Sequence, residues 1–238
     1  MRIVAVGDVH GEEHLTSVGA SLAEAPEADL ILLAGDITHR NDVDLYGRVL
    51  EAFQEASDAP ILAVFGNHEY ADSHAEYRMS YPITFLTEQA TEVRVAGRTV
   101  RVVGSTGVLD RPTWWQRTNL PQITSEYTRR LHVLDDLLEE EGFRVLLTHY
   151  APTYRTLVGE GESYWDQLGS KRMEGVLLRH RPELVIHGHA HLGVPFAELQ
   201  TGQTTLQNFD RGRAIPIHNV AYPVRSDVTV LDLPSRAE

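Results

Sequence analysis

Apolar positions along this chain follow two periods. "RIVAVG", "DLILLAG", "PILAVFG", "FRVLLTH" and "ELVIHGH" are short, nearly continuous apolar runs that read as buried strands. "EEHLTSVGASLAEA", "DVDLYGRVLEAFQEAS", "SEYTRRLHVLDDLLEEEG" and "SKRMEGVLLRHRP" repeat their apolar residues every three or four positions, as amphipathic helices do, and Gly142 reads as the stop of the third. The first half therefore alternates strand and helix, which predicts βα units and a sheet covered on both faces. "TEVRVAGRTVRVVGS" alternates with a period of two and predicts a hairpin turning near Ala96 and Gly97. "VPFAELQTGQTTLQNF", "IPIHNVAYP" and "SDVTVLDL" predict a β-rich tail. The mixture predicts two packed sheets with helices outside, in one domain over residues 1–238.

Two stretches break the pattern. "STGVLDRPTWWQRTNLPQ" and "APTYRTLVGEGESYWDQLG" mix aromatic and arginine residues with Gly and Pro. Long loops of this kind are often functional. The alternative is that Trp114, Trp115 and Trp165 pack the loops onto the body.

Charge and composition narrow the function. The formal net charge of -13 repels nucleic-acid phosphates, so a broad nucleic-acid surface is disfavoured. The chain has no cysteine, which leaves only nitrogen and oxygen ligands for any metal. Lys171 is the only lysine. No apolar stretch approaches the ~20 residues of a membrane span, and the N-terminus runs into the first strand without the flanks of a signal peptide. A cytoplasmic location is the expectation.

Candidate chemistry gathers at the strand ends. "VAV" leads into Gly7-Asp8-Val9-His10-Gly11, "LILLA" into Gly35-Asp36, and "ILAVF" into Gly66-Asn67-His68-Glu69. "RVLL" leads into Thr148-His149, and "LVI" into His187-Gly188-His189-Ala190-His191. Ligand sites of open α/β sheets form at the carboxyl ends of strands. Any one of these motifs is more often a satisfied polar strand end than a ligand pair. Five in order, each at a strand end, would need five unrelated coincidences.

The series Asp-x-His, Gly-Asp, Gly-Asn-His-Glu, a lone His after a strand and Gly-His-x-His resembles the calcineurin-like metallophosphoesterase superfamily, with motifs running from Asp8 to His191. The resemblance implies an α/β fold, a four-layer α/β/β/α sandwich of two mixed sheets flanked by helices. It also implies two divalent metal ions. Asp8, His10 and His191 would bind the first, Asp36 would bridge, and Asn67, His149 and His189 would complete the second. His68 would be the catalytic histidine. His187 has no matching role in the motif and reads as a strand-end residue supporting the site. Mn²⁺ is favoured from the resemblance, while mixed N/O ligation also suits Fe, Zn²⁺, Co²⁺ or Ni²⁺. Two cations ~4 Å apart neutralise phosphoryl oxygens and lower the pKa of a shared water. The implied activity is phosphoester hydrolysis, as a phosphodiesterase or phosphatase with a small phosphoester substrate. A nuclease of the same superfamily and a non-catalytic binding scaffold are the alternatives, and a homo-oligomer stays open.

One position departs from that pattern. Many relatives place an Asp three residues after the bridging Asp, where it orients the catalytic histidine. Here the stretch is "GDITHR", with His39 in that place. Either another carboxylate such as Asp42 substitutes, or His68 is oriented differently. Arg40 is either a phosphate clamp or a solvated side chain. Tyr150 and Pro152 are expected at the pocket rim, and His14, His74, His132, His180 and His218 at the surface or its boundary.

Overall fold

Alternation along the strands decides the layering. In β1 (Arg2–Val6), Ile3 and Ala5 point one way and Val4 and Val6 the other, and all four are buried. β2 (Leu30–Leu33) and β3 (Ile61–Val64) are buried on both faces as well. Such strands need cover on each side. A computed structural model of the protein, describing residues 1–200 and 213–233, shows how the chain supplies it.

The first sheet has the order β11-β1-β2-β3-β4, where β4 is Thr84–Leu86 and β11 is Thr229–Asp232. β1 to β4 are parallel, and β11 returns antiparallel to β1. The second sheet has the order β5-β6-β7-β8-β10-β9. Its strands are β5 (Gln89–Val95), β6 (Arg98–Ser105), β7 (Phe143–Thr148), β8 (Leu184–His187), β9 (Phe196–Leu199) and β10 (Ile215–Asn219). β6, β7, β8 and β10 are parallel, and the edge strands β5 and β9 are antiparallel.

Three apolar layers hold these parts together. Between the sheets, Ile3, Leu30, Leu32, Leu62 and Val64 meet Val100, Val102, Val145, Leu147 and Ile186. On the outer face of the first sheet, Val4, Ile31 and Leu33 meet Val18 and Leu22 of α1 (Leu15–Glu24) and Tyr46, Val49, Leu50 and Phe53 of α2 (Val43–Ala56). The latter four are spaced on one helical face. Beyond the second sheet, Val103, Leu146, Val185 and Ile217 meet residues of two further helices. Each fully buried aliphatic side chain contributes about 1.5–3 kcal/mol relative to exposure. The result is the expected α/β/β/α sandwich.

The remaining helices are α3 (His74–Ser80), α4 (Trp114–Asn119), α5 (Ile123–Leu137), α6 (Arg172–His180) and α7 (Tyr222–Arg225). Sequence periodicity missed the short elements β4, α3, α4 and α7, which hold too few residues to show a period. α4 interrupts a stretch expected to be irregular, and a capping box of Thr113 and Gln116 defines its start. α5 ends at Leu137, well before Gly142. Glu139, Glu140 and Glu141 follow, and their negative charge opposes the negative end of the helix dipole. The Ala96-Gly97 turn has positive φ at both residues, as the hairpin reading requires. The expected β-rich tail begins with β9, but its part beyond residue 200 lies outside the described residues until 213. Among the described residues, no helix is long and apolar enough to cross a membrane.

Burial holds His187 and His218 down at about 4, below the ordinary value of 6.5. A histidine depressed in the folded state stabilises the fold above its unfolded pKa and loses that contribution as pH falls through the folded one. The melting temperature should therefore fall between pH 6.5 and pH 4. His218→Gln should soften that fall, and an identical slope in the variant would contradict the assignment.

Candidate metal centre

The strand ends expected to carry chemistry lie side by side. Backbone bonds join the two sheets at their carboxyl edges, with Gly7 N–H donating to Val220 O at 3.0 Å and Val220 N–H to His187 O at 2.7 Å. Within the first sheet, the loops after β1 and β2 are laced together. Asp8 N–H donates to Gly35 O at 2.9 Å and His10 N–H to Asp36 O at 3.1 Å. Close approach is enforced at Gly66, where an added Cβ would lie 2.1 Å from Asp36 Oδ1.

All the site residues expected from sequence come together here. Asp8, Asp36, His149 and His189 offer ligand atoms that lie within 4.8 Å of one another, and so do those of Asp8, His10 and His191. Asn67 Oδ1 lies 3.0 Å from His149 Nε2. His68 Nε2 lies 4.0 Å from Asp36 Oδ2. Four of these residues, Asp8, His10, Asp36 and His189, have positive φ between 50° and 68°. Left-handed backbone is uncommon outside glycine, and its concentration at one site marks stored strain.

Neighbouring groups orient the ligand atoms. His149 Nδ1–H donates to Ala34 O at 2.9 Å, so its Nε2 lone pair faces the centre. His189 N–H donates to Asp8 Oδ2 at 2.7 Å, and His68 N–H to Asp36 Oδ1 at 2.7 Å. Tyr150 is buried, its ring 4.8 Å from His189, and its hydroxyl accepts from Gln116. Tyr150 therefore forms a wall beneath the site, and Pro152 is buried too, so neither stands on the expected rim. His187 is fully buried between Thr156 Oγ1 at 2.8 Å and Gly188 O at 2.7 Å, which anchors the strand end from behind.

Glu69 was missed as a site residue, although it stands in the Gly-Asn-His-Glu motif. Its side chain is only 2% exposed overall and accepts three backbone N–H groups. Gly66 and Asp36 donate to Oε2 at 2.7 and 2.9 Å, and Thr38 to Oε1 at 3.1 Å. It thus clasps the loops after β2 and β3. An acid directly after two polar residues, Asn67 and His68, at a strand end was the available signal. Asp42 does not orient His68. It caps α2 by accepting from Leu45 N–H at 3.0 Å, and a capping carboxylate is committed to that helix end.

Of the tryptophans, Trp165 packs against Tyr154 and donates to Glu160 O, whereas Trp114 and Trp115 are 70% and 58% exposed. The two irregular stretches are tied together, with Arg111 Nε and an Nη of its guanidinium both bonded to Asp166 at 2.6 and 2.9 Å. Of the histidines outside the motifs, His132 is exposed, and His14, His74, His180 and His218 are half-buried, as expected for surface and boundary positions.

The electrostatics fit a divalent cation. Asp8 and Asp36 are both buried, and among the described residues their ion-pair partners are all histidines. Burial raises the Asp36 carboxyl, helped by the charges of Glu69 and Asp8. Burial also raises Asp8, but the His191 hydrogen bond and the adjacent imidazoles outweigh it and hold Asp8 at about 2. Burial lowers His10 to about 4 and lowers His149 and His189, which favours the neutral, metal-ligating form. His10 Nε2 and His191 Nε2 face one another at 3.5 Å, and His10 Nδ1 is buried without a hydrogen-bond partner among the described residues. Buried carboxylates, neutral imidazoles and an amide oxygen form the mixed N/O set that such ions take.

A family model described as calcineurin-like phosphoesterase matches residues 1–193. The chain belongs to the calcineurin-like phosphoesterase family. Solved structures share the fold of this chain. The protein TT1561 of Thermus thermophilus is 19% identical with a TM-score of 0.59, covering 97% of this chain and 93% of that one. The phosphopantetheinyl hydrolase of Mycobacterium tuberculosis is 15% identical with a TM-score of 0.64, covering 92% and 88%. The sulfate thiohydrolase SoxB of Thermus thermophilus is 13% identical with a TM-score of 0.56, covering 98% of this chain and 53% of its own. At these identities the likeness is one of fold. No curated protein matches the sequence.

Two outcomes are expected of the site. Divalent metal added to chelator-stripped protein at a hundred times its dissociation constant should stabilise it by about 2.7 kcal/mol, raising the melting temperature by roughly 5–10 °C. An unmoved melting curve would contradict metal binding here. Glu69→Gln keeps one acceptor oxygen but turns an amide donor toward backbone N–H groups. It should lower stability by about 1–3 kcal/mol in urea unfolding, and an unchanged midpoint would exclude the clasp.

Proposed function

We propose that the protein is a metal-dependent phosphoester hydrolase, a phosphodiesterase or phosphatase acting on a small phosphorylated molecule. The observation that carries this reading is the convergence of seven ligand-type residues, two of them the buried carboxylates Asp8 and Asp36, at the joined edges of the sheets. Asp8, His10 and His191 would hold one ion, Asn67, His149 and His189 the other, and Asp36 both. The bound ions, Mn²⁺ in our reading, would neutralise phosphoryl charge and lower the pKa of the attacking water.

The chain's own groups do the rest. By fixing where the ions sit, the carboxylates and imidazoles would fix where the anionic phosphoryl group binds. His68 stands beside Asp36 without being needed as a ligand, placed to supply a hydrogen bond or proton to the leaving oxygen. The two loops tied by Arg111 and Asp166 reach the site's neighbourhood through Gln116, which donates to the Tyr150 hydroxyl, and Glu160, which accepts from Leu192 N–H beside His191, and they would read the organic part of the substrate. The net charge of -13 supports a small substrate over a nuclease's polymer. The presence of His68 beside the ligand set argues against a non-catalytic scaffold. A cytoplasmic location and a single domain are part of the same reading.

The test is hydrolysis of bis-p-nitrophenyl phosphate by chelator-stripped protein, with and without Mn²⁺. Turnover should appear with metal, and His68→Ala should lower kcat by about 10²–10⁴-fold. Folded protein inert toward diesters and monoesters with every divalent metal would overturn the proposal.

A further inference from the structure

The loop after β2 replaces the expected carboxylate with backbone. His39, in that place, stacks its ring on His68, with centroids 4.7 Å apart and planes 24° from parallel. The polar contact to His68 comes from the next residue, since Arg40 N–H donates to His68 Nδ1 at 3.1 Å. A backbone N–H can only donate, so Nδ1 must present its lone pair. In the neutral ring the proton then sits on Nε2, the atom that faces Asp36 and the centre. A carboxylate in the same place would accept from Nδ1–H and leave the proton on the opposite nitrogen.

The rest of the turn is built to hold that contact. Arg40 and Asn41 are successive left-handed residues, with φ of 50° and 64°. Asn41 N–H donates to His68 O at 2.8 Å, while its Oδ1 accepts from Tyr70 N–H at 2.8 Å. Its amide nitrogen donates to Ser73 Oγ at 2.8 Å. The Asn41 bonds therefore pin the chain at His68 itself and on its C-terminal side, at Tyr70 and Ser73.

We propose that the turn His39–Arg40–Asn41 is a backbone clamp that selects the Nε2–H tautomer of His68, with Asn41 as its positioning residue. The use of that N–H toward a leaving oxygen rests on the hydrolase reading, whereas the tautomer does not. His68 then acts on substrate as a neutral ring that donates through Nε2, held in place without a carboxylate.

The tautomer is read directly by long-range proton–nitrogen correlation on the full chain labelled with ¹⁵N-histidine. Spectra are taken on chelator-stripped and Zn²⁺-loaded protein, and His68→Gln identifies the His68 signals. The expected result is an unprotonated Nδ1 and a protonated Nε2 in both samples. Asn41→Ala should shift His68 toward mixed tautomers and lower kcat on bis-p-nitrophenyl phosphate by about tenfold with little change in KM, as slight misplacement of a reacting group does. Asn41→Asp keeps the Oδ1 acceptor and should restore both readouts. A proton on Nδ1 in the native chain would overturn the clamp without any variant. So would loss of the Nε2 proton on adding Zn²⁺, which would make His68 a ligand. Native protein with the expected tautomer but no turnover would sink the hydrolase reading and leave the clamp standing.

Discussion

Two buried carboxylates without a fixed cation set the terms for this molecule. Asp8 and Asp36 are withdrawn from water at the joined edges of two sheets, and their ion-pair partners among the described residues are imidazoles. Burying a charge is costly unless it is paired; the bond to Asp8 raises His191, but burial lowers His149 and His189, so the imidazoles beside Asp36 do not supply the missing positive charge. A divalent cation does. The strained backbone of Asp8, His10, Asp36 and His189 fits the same account, because strain survives only where the surrounding structure over-determines it.

The scaffold explains how that cost is met. Three apolar layers pack the sheets on both faces, and the candidate ligands stand within four residues of the strand ends. Backbone bonds from Gly7 to Val220 and from Val220 to His187 fix the distance between sheets where it matters. Glu69 then ties the loops after β2 and β3 through three N–H groups. The candidate ligands are thus held by main chain and by one buried acid.

Much of this was legible in the sequence because both signals are local. Apolar runs mark strands, and the polar residues that end them mark the site, so Asp8, Asp36, Asn67, His149, His189 and His191 could be gathered before any contact was known. What escaped was either short or conditional on contact. α4 and β4 are too brief to show a period. Glu69 looks like a surface acid until the three N–H groups around it are seen. The orientation of His68 was misjudged in one alternative for the same reason. Asp42 has the right chemistry, but it is spent on the start of α2, and the deciding donor is the main chain of Arg40, which carries no side-chain signature.

If Asp8 and Asp36 are buried in order to hold cations, those ions can be counted. Calorimetric titration of chelator-stripped protein with Mn²⁺, beside Asp36→Asn, does so most directly. Two ions per chain are expected, with binding weakened at both positions in the variant if Asp36 is shared. Absence of saturable binding to folded protein, or binding unaffected by Asp36→Asn, would contradict that role.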